Sequence, residues 1–308
     1  MPRSPAPAAV VGLGLMGASI SACLLAAGHR VQGVESDPAR RRSARRRILS
    51  HLRQIAAAAR IADFKCGTDC SALSGCRIVI ESAAEDVASK RRLLGAIEAA
   101  VSATALIGSN TSAIPVSRLQ EGMQHPNRVV GIHWAEPAHL TRFMEIVRGR
   151  ATSPAAARRA MQLARAWGKE PTLVERDVPG FIANRIMYAM IREAFHLVES
   201  GVATPADVDR SVRNDMGYWL TLAGPFRFMD LTGIPAYAAV MRDLLPDLTC
   251  STAVPKLIER MVRTGAKGVG NCKGFYRYTP AEARRWQRKF LAFTRDIRKL
   301  ADKYRDKL

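Results

Sequence analysis

The chain has 308 residues, 48% of them hydrophobic, and carries 47 Lys and Arg against 27 Asp and Glu for a formal net charge of +20. That length and apolar content predict two globular domains, each burying its own core, and exclude a disordered or low-complexity chain. No apolar run reaches the about 18 residues of a membrane span, and Met1 to Pro5 lacks the apolar core of a signal peptide, so the expectation is a cytoplasmic protein without a membrane partner.

The charge raises the question of nucleic acid, because clustered Lys and Arg bind phosphate by releasing counterions. Two clusters dominate. Arg40, Arg41, Arg42, Arg45, Arg46 and Arg47 fall on one predicted helix, and the segment from Arg284 to Lys307 holds ten basic residues. Neither has the interleaved aromatics of a single-strand platform or the spacing of a DNA-reading module, so the reading is no nucleic acid and an anionic small-molecule substrate instead. Cys23, Cys66, Cys70, Cys76, Cys250 and Cys272 form no Cys-x-x-Cys and read as reduced thiols without a metal.

In chain order, Ala8 to Leu13 reads as a buried strand, Met16 to Ala27 as a helix apolar on nearly every side, and Arg30 to Glu35 as a second strand. Pro38 to about Ala59 reads as a basic amphipathic helix. Further strands are predicted at 77–81, 105–108, 129–132 and 144–147, mostly separated by helical stretches. That alternation predicts an α/β Rossmann domain, a doubly wound and mostly parallel sheet. Near Pro179-Gly180 the texture turns helical and strands disappear. Helices are expected over Phe181 to Glu199, from the Thr204-Pro205 cap, and over Tyr237 to Leu245, Val254 to Thr264 and Pro280 to Lys303. The expected division is therefore a dinucleotide-binding domain over 1–178 and an all-α C-terminal domain over 179–308. Met187, Ile191, Phe195 and Val198 recur at helical spacing and predict a core or dimer face.

Gly12-Leu13-Gly14-Leu15-Met16-Gly17 sits between the first strand and the first helix. Its first glycine permits the turn, its second lets backbone approach a pyrophosphate, and its third lets helix pack on strand. The helix N-terminus adds amide donors for the phosphates. Alone the pattern is weak, but Glu35 ends the next strand about twenty residues on, where a carboxylate accepts the adenosine ribose hydroxyls. The conjunction points to NAD; Arg40 and Arg41 leave room for the phosphate of NADP.

Downstream lie Glu85 with Lys90, Ser109-Asn110-Thr111-Ser112, His133-Trp134-Ala135-Glu136-Pro137, Glu145, and Pro179-Gly180-Phe181-Ile182-Ala183-Asn184-Arg185. Alcohol oxidation needs a base for the hydroxyl proton, and a carboxylate on the far ring nitrogen fixes the tautomer of a histidine base. His133 and Glu145 fall on neighbouring predicted strands. Ser112 and Asn184 offer neutral donors for a developing carbonyl. His29, His51, His125, His139 and His196 lack a partner pattern and read as structural.

Taken together these segments resemble the 3-hydroxyacyl-CoA dehydrogenase family, from about residue 8 to Tyr278. The resemblance implies a Rossmann domain joined to a helical domain that makes a homodimer. It implies His133 as base, Glu145 as its partner, and Ser112 and Asn184 as holders of the substrate oxygens. Glu85, Lys90 and Ser112 would flank the cofactor, joining Gly12, Gly14, Leu15, Met16, Gly17 and Glu35. The implied reaction is NAD-dependent oxidation of a 3-hydroxyacyl thioester, with Arg41 and Arg45 as candidate contacts to the phosphates of CoA or a carrier protein.

Three departures qualify this reading. The family's His-x-x-Asn-Pro carries Glu136 in place of Asn, which sets a carboxylate beside the substrate or pairs with Arg142. Val269-Gly270 replaces a lysine pair before Gly274-Phe275-Tyr276. The segment from Glu35 to Asp69 is too short for the helical hairpin that holds CoA in many relatives. The chain also resembles a branch of the superfamily that acts on small non-CoA acids, including a pyridine-carboxylate dehydrogenase, so a free hydroxy acid or aromatic alcohol-carboxylate stands as the alternative substrate. A non-catalytic NAD-binding structural or regulatory protein is the alternative from another class.

Overall fold

A computed structural model describes residues 5–304; the first residues of the expected leaderless N-terminus and the last basic residues of the 284–307 cluster lie outside them. Among the described residues no helix is long and apolar enough to cross a membrane. The chain divides after Arg185 into two compact units.

The first unit is built on an eight-stranded sheet: β1 (Ala8–Val11), β2 (Val31–Val34), β3 (Phe64–Gly67), β4 (Ile78–Glu81), β5 (Leu106–Ser109), β6 (Val129–Trp134), β7 (Phe143–Val147) and β8 (Glu170–Val174). Their spatial order is β3-β2-β1-β4-β5-β6-β7-β8. The pairs from β3 to β6 are parallel, β7 runs antiparallel to β6, and β8 runs parallel to β7. The first six strands thus have the doubly wound Rossmann order, whose ligand crevice opens where the chain reverses direction beside β1.

The central strands are apolar along most of their length because both faces are covered, with Glu81, Ser109 and His133 confined to their carboxyl ends. Along β1, Ala8 and Val10 enter one core cluster while Ala9 and Val11 enter the other; Ile78 and Ile80 part from Val79 in the same way. One layer holds α1 (Leu15–Ala26) and α2 (Pro38–Gln54), the other α3 (Val87–Ala100) and α4 (Val116–Leu119). α1 buries every residue from Gly17 to Leu25, which explains its all-round apolar sequence. α2 is capped by Asp37, whose side chain accepts from the Arg40 amide, and buries only Ala44, Ile48 and Leu52, a stripe at i, i+4, i+8 with the arginines outside it. α5 (Pro154–Ala166) packs an alanine face, Ala156, Ala157, Ala160 and Ala164, against the sheet.

The structure corrects the sequence reading at three places in this unit. α2 ends at Gln54 rather than near Ala59, because Ala56 turns left-handed at φ 54° and a 3-10 turn over Ala58–Asp63 carries the chain back to the sheet. β3 and β8 were not expected from the sequence. They are the two edges of the sheet, half-solvated, and so lack an apolar run: β3 buries Phe64 alone, and β8 contains Pro171, which an edge tolerates.

The second unit is helical: the continuation of α6 (Ala183–Glu199), then α7 (Pro205–Asn214), α8 (Met216–Trp219), α9 (Pro225–Thr232), α10 (Ile234–Leu244), α11 (Lys256–Arg263) and α12 (Pro280–Lys303). Thr204 caps α7 as expected, and Thr279 with Glu282 forms a capping box on α12. α8 and α9, which were not foreseen, are short and separated by Leu220 to Gly224. Within this unit Phe195 meets Phe275 of the Gly-Phe-Tyr segment edge to face at 5.7 Å, and Tyr276 donates to Asp209 at 2.6 Å. Only Ala223 and Ala283 are buried among its described residues.

Candidate active site

At the carboxyl ends of β1, β2, β4 and β5 lies a cleft of about 870 Å³, whose walls include Gly12, Gly14, Leu15, Met16, Glu35, Glu85 and Ser112. The glycine loop turns because Gly12 holds φ 90°, where a Cβ would also stand 2.7 Å from the Ser82 carbonyl oxygen. At Gly17 a Cβ would come within 1.8 Å of the Gly12 carbonyl oxygen, so helix and strand meet only through glycine there. Gly14 instead faces open space within 4 Å, which leaves backbone amides approachable at the N-terminus of α1. These three environments match the three roles a dinucleotide pyrophosphate requires.

Glu35 lines the cleft at the end of β2 and is fixed by backbone. Its Oε2 accepts the Leu13 amide at 2.9 Å and its Oε1 the Asp37 amide at 3.0 Å. The arginines are placed otherwise than the sequence suggested. Arg41 donates to the backbone oxygens of Glu35 and Ser36, and Arg45 to that of Phe64, so both are engaged at the end of β2 and the start of β3. Arg40 and Arg47 line the cleft, Arg47 while donating to the backbone oxygen of Leu13 at 2.6 Å.

A second correction concerns Lys90. It is fully enclosed and donates to both oxygens of Glu81 at 2.8 and 3.0 Å, so it lies beneath the cleft rather than on its wall. Glu85 does face the cleft. Its Oε1 gathers the Thr111 hydroxyl at 2.6 Å and the amides of Ser112 and Ala113 at 2.8 and 3.1 Å. Burial pushes its carboxyl up, but the Thr111 bond, the Lys90 charge and the two amides together hold it below the ordinary value.

His133 and Glu145 stand directly opposite each other across the antiparallel β6–β7 pair, and their side chains meet at 2.8 Å between Nδ1 and Oε2. Glu145 is 1% exposed, and its other oxygen accepts the Ile182 and Ala183 amides at 3.1 and 2.9 Å. Burial alone would raise the carboxyl; the His133 bond, the two amides and the His133 charge outweigh it and lower it. The imidazole is walled edge-on by Phe143 and Phe181, at centroid distances of 5.4 and 5.7 Å. With Nδ1 engaged, Nε2 is the nitrogen left to exchange a proton.

Asn184 donates from Nδ2 to the Ser112 backbone oxygen at 2.9 Å, so these two candidates are neighbours. Glu136 is exposed and makes no ion pair among the described residues; Arg142 lies against Glu170 at 3.8 Å. Partial burial still pushes the Glu136 carboxyl upward.

Sequence reasoning placed Asn110 within a candidate segment without assigning it a role, and it missed Glu81. Asn110 accepts the Trp134 amide at 3.0 Å, tying the Ser-Asn-Thr-Ser loop to the end of β6. Glu81 left one signal, a lone acid closing the apolar run Ile78-Val79-Ile80. The amides of Ile182 and Ala183 left none, because backbone donors carry no residue signature.

The family model described as 3-hydroxyacyl-CoA dehydrogenase, NAD binding domain, matches residues 7–178, and the model of that family's C-terminal domain matches 180–278. A relative from Mesorhizobium japonicum, named 5-formyl-3-hydroxy-2-methylpyridine 4-carboxylate 5-dehydrogenase, is 32% identical over 91% of this chain and 93% of its own length. A 3-hydroxybutyryl-CoA dehydrogenase from Mycobacterium tuberculosis is 29% identical over 87% and 97%. The solved structure of a 5-formyl-3-hydroxy-2-methylpyridine 4-carboxylic acid 5-dehydrogenase, described as an NAD+-dependent dismutase, superposes with a TM-score of 0.91 at 30% identity, covering 96% of this chain and 98% of that one. With both family models matched in sequence order and the nucleotide cleft formed, the chain belongs to the 3-hydroxyacyl-CoA dehydrogenase family of NAD-dependent oxidoreductases.

Proposed function

We propose that this chain oxidises the carbinol of a small free hydroxy acid or aromatic alcohol-carboxylate, with His133 as the general base. The observation that carries the chemistry is the buried 2.8 Å contact between His133 and Glu145. Bound NAD supplies the hydride acceptor. Nε2 of His133 takes the hydroxyl proton as the carbinol carbon is oxidised. Glu145 holds the proton on Nδ1 and stabilises the imidazolium that results. Ser112 and Asn184 hold the substrate oxygen, and Glu136 presents a carboxylate to the rest of the substrate.

A small acid is favoured over a thioester by two features of the first unit. Only a 3-10 turn links α2 to β3, so no helical hairpin rises there to hold CoA. Arg41 and Arg45, the arginines expected to meet CoA phosphate, are engaged with backbone oxygens. The name of the Mesorhizobium relative agrees with this reading. Oxidation of a 3-hydroxyacyl thioester is the second reading, supported by the family match and by the exposed Arg42, Arg46 and Arg53 on α2.

Initial rates of NADH formation on a panel of free hydroxy acids, pyridine alcohol-carboxylates and 3-hydroxyacyl-CoA thioesters separate the two. The expected result is a kcat/KM for the best free acid at least about a hundredfold above that of any thioester, or about 3 kcal/mol in transition-state binding. The reverse preference establishes the thioester reading, and absence of NADH formation with every member favours a non-catalytic NAD-binding role. Glu136→Asn is expected to narrow the preference.

A further inference from the structure

We infer that Glu81 and Lys90 form a buried positioning pair that sets the loop 110–113 and, through it, Asn184 beside the catalytic dyad. The inference rests on the proposed role of His133 and Glu145.

Glu81 ends β4 with no solvent exposure, and all of its acceptor capacity is directed inward. Besides Lys90 it receives the Ser109 hydroxyl at 2.6 Å and the Ala83 amide at 2.6 Å. Ser109 is its register partner on β5, so the carboxylate joins the ends of two adjacent strands just before both enter the cleft. Lys90 rises from α3 and brings its ammonium within 3.4 Å of Glu85 Oε2. Glu85 in turn gathers Thr111, Ser112 and Ala113 on its other oxygen. The Ser112 carbonyl then takes Asn184, and the preceding amide, that of Ala183, donates to Glu145. Hydrogen bonds and ion pairs therefore run from the sealed pair to the dyad through Glu85, the loop and the start of α6.

Stability does not account for a buried ion pair at this place. Removing two charges from water costs several kcal/mol per ion, and well-packed apolar residues of the same volume are often as stable or more so. Val79, Leu94 and Ile107, which share β4, α3 and β5 with the pair and its partner Ser109, belong to one buried apolar cluster, so apolar side chains are already accepted in this layer. What an apolar pair cannot supply is a fixed cation beside Glu85. Without it the Glu85 carboxylate has only the neutral donors of Thr111, Ser112 and Ala113 to hold it. Lys90 and Glu81 are thus positioning residues, acting through Glu85.

The test compares Glu81→Gln, Lys90→Met and the double Glu81→Gln/Lys90→Met variant in the full chain. Three readouts are followed: thermal midpoint, amide hydrogen exchange at Ser112 and Ala113, and kcat with KM on the best panel substrate. Each single variant leaves one partner buried alone and is expected to lower the midpoint. The double variant removes both charges and should recover most of that loss. It is nonetheless expected to lose at least about tenfold protection at the two amides and about tenfold or more in kcat, with KM within about threefold. A double variant with native kcat and native protection overturns the inference, since the pair would then serve only its own burial. Lowered kcat with unchanged protection overturns it as well. If native protein turns over no panel member while the double variant loses protection, the proposed function fails and the positioning role stands.

Discussion

The proposed role of His133 depends on the residue opposite it. Alone, an imidazole near a strand end is ordinary; facing Glu145 across an antiparallel register, in a pocket walled by Phe143 and Phe181, it has one nitrogen fixed and one left for chemistry. Replacing His133 by Gln is expected to lower kcat by about three orders of magnitude, within the usual range for losing a general base. NADH affinity, read by fluorescence titration, should stay within about threefold, because the cleft walls at the glycine loop and Glu35 are untouched. Native turnover in this variant would remove His133 from the reaction. At this scale the sequence was informative about which residues the fold brings together, pairing His133 with Glu145 and setting Glu35 at the cleft. It misplaced Lys90, Arg41 and Arg45, whose long side chains reach partners that only the folded backbone brings near.

The loop from Ala135 to Thr141 shows the same division among elements. It leaves β6 at the dyad, carries Glu136, and is tied on both flanks. The amides of Leu140 and Thr141 donate to the Pro137 oxygen, and Lys169 donates to the oxygens of Ala138 and Thr141. His139 anchors it to α1 and α2, meeting Ser19 at 2.8 Å and Gln54 at 3.1 Å, with the His51 ring 4.4 Å away. Burial, helped by the nearby His51 and Lys169 charges, lowers the His139 pKa to about 3.

Folded His139 therefore refuses a proton that the unfolded chain accepts below its ordinary value of 6.5. Its contribution is intact above 6.5 and is lost as pH falls from 6.5 toward 3, at up to about 1.4 kcal/mol per pH unit. Urea unfolding at pH 6.5 and 5.0 should show the native chain losing about 2 kcal/mol more than His139→Gln. Equal losses would mean that His139 is not held neutral. The sequence marked His139 as structural but carried no sign of this anchor, whose partners Ser19 and Gln54 are far away along the chain.

For the molecule as a whole, the helical unit presents the main unresolved demand for burial. Tyr218, Phe226 and Leu231 are 79%, 79% and 76% exposed, and Phe290 and Phe293 of α12 are also open. A unit with so little buried core does not stand on its own apolar contacts. We expect this surface to be covered by a second copy of the chain, giving a homodimer through the helical unit. Light scattering coupled to size-exclusion chromatography should report twice the 33.7 kDa chain mass, and Phe226→Asp with Leu231→Asp should yield monomer of lower stability. A native monomer at micromolar concentration would refute this arrangement.

By itself the sequence determined the Rossmann architecture, the order of its buried strands, NAD as cofactor and the candidate dyad, because each rests on local pattern. Apolar runs make buried strands, three glycines at fixed spacing make one turn, and a carboxylate ends the second strand. Only the tertiary structure decided that β3 and β8 close the sheet, that Lys90 is sealed against Glu81, and that Arg40 and Arg47 rather than Arg41 and Arg45 meet the cleft. Those outcomes depend on long-range pairing and on which way long side chains fall, and neither leaves a periodic mark in the chain.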